Sequence, residues 1–145
     1  MQIRILLAMD DSENALRAAE MVANCFRADS RVVLFNVGGS AAPLYRQDPA
    51  ASSPFIPSQQ HKLRDLEEKK RNRIDGAIRK ARQMLLARGF AAEGVTIKTT
   101  SRKIDIPADI LAEARSGHDV VVLGRRGLSG MKDFFSGSTA NKVYA

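Results

Sequence analysis

The stretch Val120–Thr139, "VVVLGRRGLSGMKDFFSGST", runs four hydrophobic residues straight into a segment with glycines at 124, 127, 130 and 137. A short apolar run rich in β-branched residues reads as a strand buried on both faces. Glycine directly after such a strand lets the backbone turn tightly, and it leaves N–H groups open to a ligand with no Cβ in the way. Gly137 and Ser138 come where a last helix is predicted to begin. A helix N-terminus offers unpaired N–H donors at the positive end of its dipole. The hydroxyls of Ser138 and Thr139, with the charges of Arg125, Arg126 and Lys132, complete a set suited to a polyphosphate. Glycines alone could equally just build a loop. The position, after a buried strand and before a helix, favours the phosphate reading.

Upstream, strands and helices alternate. "IRILLAM" (Ile3 to Met9) is a first buried strand, and "RVVLFNV" (Arg31 to Val37) a second. Between them Ala15, Leu16, Ala19, Val22, Ala23 and Phe26 recur at helical spacing behind Ser12, a suitable N-cap. Residues 38–58 hold four of the five prolines and read as a flexible insertion within one domain that spans residues 1–145. A long helix is predicted from Gln59 to a C-terminal cap at Gly89, with an apolar stripe of Leu63, Leu66, Ile74, Ala77, Ile78, Ala81 and Leu85. Its first half is so charged that only the second half need pack firmly. "GVTIKTTS" alternates as an edge strand does, Pro107 opens a short helix that stops at Gly117, and "DVVVLG" is the fourth strand.

Such alternation implies right-handed crossovers, hence a doubly wound parallel α/β sheet covered on both faces. Ligands of these sheets sit beyond the carboxyl ends of the strands, where the winding direction switches. The positions to watch are therefore Asp10, Val37, Ser101 and the glycine segment. Neither GxxxxGK[ST] nor GxGxxG is present, which disfavours a P-loop NTPase and an ordinary dinucleotide enzyme.

The remaining composition narrows the classes. The protein has 145 residues, a net charge of +7 and one cysteine, Cys25. No apolar run approaches a membrane span, and acidic residues follow the N-terminal apolar stretch, which reads as a strand and not a signal peptide. A lone cysteine fits a reducing cytoplasm, and its helical neighbours Ala18 and Val22 suggest a buried position. Much of the positive charge falls in "KKRNRIDGAIRKAR", with no interleaved aromatics for base stacking, so nucleic acid is not the expected partner. His61 and His118 lie outside the expected site, and no zinc-type spacing or Ser-His-Asp set is visible.

Gly124, Gly127, Gly137 and Ser138 have the spacing Gly-2x-Gly-9x-Gly-Ser, and in that respect the sequence resembles the nucleotide-binding type of the universal stress protein family. "ILLAMDDSENALRAAEMV", "VVLFNV" and "IPADILAEA" resemble the opening strand and acidic turn, the second strand, and the helix before that signature. The resemblance implies a Rossmann-like fold of the adenine nucleotide alpha hydrolase kind. It implies ATP as ligand, with Mg²⁺ carried on the phosphates, and it implies a homodimer with a further protein partner. Asp10 would hold the ribose or the adenine edge, and Val37 would meet adenine through its backbone. Leu123 and Gly124 would flank the sugar and phosphates, while Gly127, Gly137, Ser138 and Thr139 would hold the phosphates. Asp10 could instead belong to the helix cap, beside Asp11 and Ser12. The sequence departs from the family in two ways. Ala140 stands where a second hydroxyl is common, and the last helix and fifth strand are cut short at Ala145. Three functions stay open: an ATP-dependent stress-response regulator with little or no turnover, an interaction module without nucleotide, or a slow ATPase.

Overall fold

In the computed structural model, β1 spans Arg4–Ala8, and Ile5, Leu6 and Leu7 are fully buried. Consecutive strand residues face opposite sides, so burial of all three requires a cover on each face. The structure, which describes residues 2–38 and 57–124, supplies both covers. Ile5, Leu7 and Met9 join Val32 and Leu34 under two helices, α1 (Glu13–Cys25) and α2 (Pro57–Ala87). Leu6 and Ala8 join Phe35 and Ile110, the latter from a third helix, α3 (Ile106–Ala114), on the opposite face. Each fully buried Leu or Ile side chain contributes roughly 1.5–3 kcal/mol relative to an exposed one, so the central strand anchors both layers.

The other strands among the described residues are β2 (Arg31–Gly38), β3 (Val95–Ser101) and β4 (Val120–Val122). All pairings are parallel, and the strand order is β3-β2-β1-β4. The polypeptide thus steps outward from β1 through β2 to β3, then returns through α3 to the far side of β1. That reversal makes the β1/β4 boundary the switch point; the sheet is doubly wound, as the alternation predicts, and Rossmann-like, as the resemblance implies. As expected, β3 is an edge strand, and most of its side chains are exposed.

Local signals explain the boundaries. Ser12 caps α1, its Oγ accepting the Ala15 N–H at 3.1 Å. Asp105 caps α3 in the same way through the Ala108 N–H at 2.7 Å, with Pro107 in the first turn. Gly89 and Gly117 end α2 and the turn after α3 at φ +97° and +125°, where a side chain would be strained.

Two expectations fail. Leu66 is 62% exposed, because α2 is about 46 Å long at 1.5 Å per residue, whereas an eight-residue strand such as β2 reaches only about 26 Å. Only its second half, through Ile74, Ile78, Ala81 and Leu85, finds sheet to bury against. Cys25 is exposed. It lies at the margin of the stripe through Ala15, Ala19 and Val22 and ends the helix, and Phe26 continues the buried face instead. The 39–56 part of the Pro-rich insertion and the final helix expected from Ser138 lie outside the described residues.

Candidate functional site

At the switch point three segments leave the sheet together. The last β1–β4 pair is Leu7↔Val122, so Asp10 follows three residues beyond it on one side and Gly124 two residues beyond it on the other. Met9 N–H still reaches Phe35 C=O at 2.7 Å, and then β1 turns away into α1. Asp10 is 7% exposed, and its Oδ1 accepts the Ser12 N–H at 2.8 Å. The carboxylate therefore shapes the turn into α1, while the capping itself falls to Ser12. Next to it, Asp11 is held from outside by Arg73 of α2, Nε to Oδ2 at 3.2 Å.

β2 continues past the end of β1. Arg102 N–H donates to Gly38 C=O, so Gly38 faces β3, whereas Phe35 C=O faces β1. Backbone groups alternate sides along a strand, so Val37 repeats the orientation of Phe35. Its N–H and C=O point to the β1 side, beyond Ala8↔Phe35, the last β1–β2 pair. The Val37 side chain packs on the α3 face, as does half-buried Leu123.

Gly124 closes the crevice from the β4 side by touching α1. A Cβ there would lie 2.9 Å from the carbonyl carbon and oxygen of Asn14 and 3.0 Å from the backbone nitrogen of Ala15. Packing against the first turn of α1 thus demands glycine at this position, independently of any ligand.

The described residues therefore bring together Asp10, Val37, Leu123 and Gly124 of the sequence-predicted set. Gly127, Gly137, Ser138 and Thr139 lie outside the described residues. Ser101 is elsewhere: it ends β3, two strands from β1, in a cleft of about 560 Å³ with Arg64, Arg71 and Thr99.

His61 is exposed on α2. His118 is tied into a polar cluster away from the crevice, with Nε2 and Glu113 Oε2 3.3 Å apart. Lys98 of β3 pairs with the other oxygen of Glu113, and the Ser116 hydroxyl donates to Oε2 at 3.0 Å. Burial opposes ionisation of Glu113, yet the hydrogen bonds from Lys98, Ser116 and His118 and the Lys98 charge outweigh it, so the carboxyl is held below its ordinary value. The Arg4 N–H, donating to Asp119 Oδ2 at 2.9 Å, likewise lowers the Asp119 pKa. These groups brace β3, α3 and the entry to β4.

One residue at the crevice escapes sequence reasoning. Asn36 is 3% exposed and donates from Nδ2 to Met9 C=O at 2.8 Å. The available signal is a lone amide near the end of the apolar strand "VVLFNV". Among the described residues no group of three His, Cys, Asp or Glu side chains is placed to hold a metal ion, and no helix is long and apolar enough to cross a membrane.

A sequence model described as "Universal stress protein family" matches residues 1–145. A solved structure titled as a universal stress protein in complex with cAMP superposes with a TM-score of 0.60 at 18% identity, covering 98% of this chain and 90% of that one. A universal stress protein family member from Burkholderia pseudomallei gives 0.61 at 21% identity, over 97% and 86% of the two chains. One from Archaeoglobus fulgidus gives 0.60 at 16%, over 99% and 92%. At such identities the likeness is one of fold. No curated protein matches the sequence.

Proposed function

Because the chain belongs to the universal stress protein family, we propose that it binds an adenine nucleotide, ATP foremost, in the crevice between β1 and β4. In this reading it acts as a nucleotide-dependent stress-response regulator with little or no turnover. The observation that carries it is the convergence, at the switch point, of the Asp10 carboxylate, the outward-facing backbone of Val37 and the exit of β4. A carboxylate accepts from ribose hydroxyls, and one N–H beside one C=O suits the edge of a base. Gly127, Gly137, Ser138 and Thr139 hold the phosphates in this proposal, and Mg²⁺ arrives on them instead of in a protein cage. The protein would work as a cytoplasmic homodimer that hands its nucleotide state to a protein partner. The cAMP complex of a related protein supports an adenine ligand.

A second reading has its own support. Gly124 is accounted for by packing against α1 alone, as it would be in an interaction module of the same fold without nucleotide. Calorimetric titration with ATP, AMP and adenosine, each with and without Mg²⁺, separates the two. Micromolar ATP binding that weakens as phosphates are removed supports the regulator, and phosphate release abolished by Ser138→Ala adds slow hydrolysis to it. No binding by any of them to the folded protein favours the module.

A further inference from the structure

We infer that Asn36 is a positioning residue: its side-chain amide takes the place of a backbone donor and so releases the Val37 N–H for a ligand. This rests on the nucleotide reading above only for what the released group then contacts.

In a parallel pair, a residue that donates to one partner accepts from the residue two positions further along that partner. Met9 N–H donates to Phe35 C=O at 2.7 Å. Continuing the ladder would therefore bring the Val37 N–H to Met9 C=O. That acceptor is taken instead by Asn36 Nδ2 at 2.8 Å. The β1–β2 pairing ends at Ala8↔Phe35, and among the described residues no bond runs from the Val37 N–H to a backbone acceptor beyond the strands. The amide orientation is fixed by chemistry, since a flipped Asn36 would set Oδ1 against the Met9 carbonyl, two acceptors face to face.

Asn36 is a costly choice for structure alone. It shares a strand face with Val32 and Leu34, which are wholly buried in the apolar core, and its own Oδ1 is buried with no hydrogen-bond partner among the described residues. A half-satisfied amide beside an apolar core is worse for stability than a ladder continued by one more backbone bond. What the amide provides is a β1 exit held at Met9 with the Val37 N–H and C=O both left pointing into the crevice.

That pair reads a base by order. When the sugar and phosphates are anchored, the base edge cannot slide. An adenine edge presents an acceptor at N1 and a donor at N6, whereas a hypoxanthine edge presents a donor at N1 and an acceptor at O6. One N–H and one C=O in fixed order match only one of the two. Asn36 would thus set the preference for a 6-amino over a 6-oxo purine without touching the base.

The test uses the full-length protein and Asn36→Leu. In the variant Met9 C=O is available again, so amide hydrogen exchange at Val37 in the ligand-free protein should slow at least tenfold. The ATP-to-ITP affinity ratio should fall towards one, while the ATP-to-AMP ratio, which reads the phosphates, stays unchanged. Unchanged exchange at Val37 in a folded variant overturns the inference. An equal loss of ATP and ITP affinity assigns Asn36 a merely structural role and overturns the specificity part. Should Asn36→Leu not fold, through-hydrogen-bond NMR couplings in the unaltered protein decide. A coupling from Asn36 Nδ2 to Met9 C=O supports the inference, and one from Val37 N to the same carbonyl overturns it. If the unaltered protein binds neither nucleotide, the nucleotide reading fails, and the exchange result still decides what Asn36 does to Val37.

Discussion

Replacing Gly124 by alanine isolates the structural share of the glycine motif. The added Cβ would meet the Asn14 carbonyl carbon and oxygen at 2.9 Å and the Ala15 nitrogen at 3.0 Å, all backbone atoms of the first turn of α1. Ordinary contact needs about 3.5 Å or more, so either β4 or the start of α1 has to move by roughly half an ångström. No side-chain rotation can relieve a clash with a backbone. Overpacking of this kind costs about 1–3 kcal/mol. For a protein of 145 residues, at about 4 °C per kcal/mol, the midpoint should fall by about 4–12 °C. Differential scanning calorimetry of the ligand-free protein is the assay, since it keeps any nucleotide out of the comparison. An unchanged midpoint would refute the packing argument and return Gly124 to the phosphate cradle. A fall together with weakened nucleotide binding is expected, because the α1 start that must shift also carries the Asp10–Ser12 turn.

Other outcomes follow from the same geometry. Ser12→Ala removes the acceptor for the Ala15 N–H and should lower unfolding free energy by about 1 kcal/mol in urea titrations; an unshifted urea midpoint would count against Ser12 as the cap. Gly76→Ala should do the opposite, adding up to about 1 kcal/mol, since a Cβ at this helical position meets nothing within 4 Å; a loss of stability would show that α2 is not an ordinary helix there. The lowered Glu113 carboxyl gives stability that is fully present above the ordinary glutamate range of about pH 4.3 and is lost as pH falls through its lower folded value. Glu113→Gln should therefore flatten the acid limb of a stability–pH profile, and an identical slope in both proteins would remove Glu113 from that account.

Much of the fold is legible in the sequence because burial leaves a periodic trace. Ile5 to Leu7 and Val32 to Phe35 read as buried strands, and they form the two central strands of the sheet. The stripe through Ala15, Ala19 and Val22 reads as a helix face, and Ser12, Gly89 and Gly117 punctuate the sequence where helix ends are expected. Leu66 and Cys25 depart from the periodic reading, Cys25 because it lies at the margin of its stripe, Leu66 because its helix outruns the sheet. Periodicity records which face of a helix is apolar, but not where along its length a neighbour ends.

At the crevice the division is sharper. The sequence by itself determined the residue types on offer: a carboxylate after β1, glycines after β4, and alternating strands and helices whose only economical arrangement is a parallel doubly wound sheet. It also determined that the carboxyl ends of the strands should matter, because ligands of such sheets gather there; the strand order then placed the reversal between β1 and β4 and left Ser101 aside. Only the tertiary structure decided what each residue does there. Asp10 shapes the turn and leaves the capping to Ser12; Gly124 is demanded by the α1 backbone; and Asn36, inconspicuous in the sequence, takes the carbonyl that Val37 would otherwise bond. The physical reason is that burial is a property of single residues and leaves a pattern along the polypeptide. A close approach or a substituted hydrogen bond is a property of two segments far apart in sequence, and it exists only once they meet.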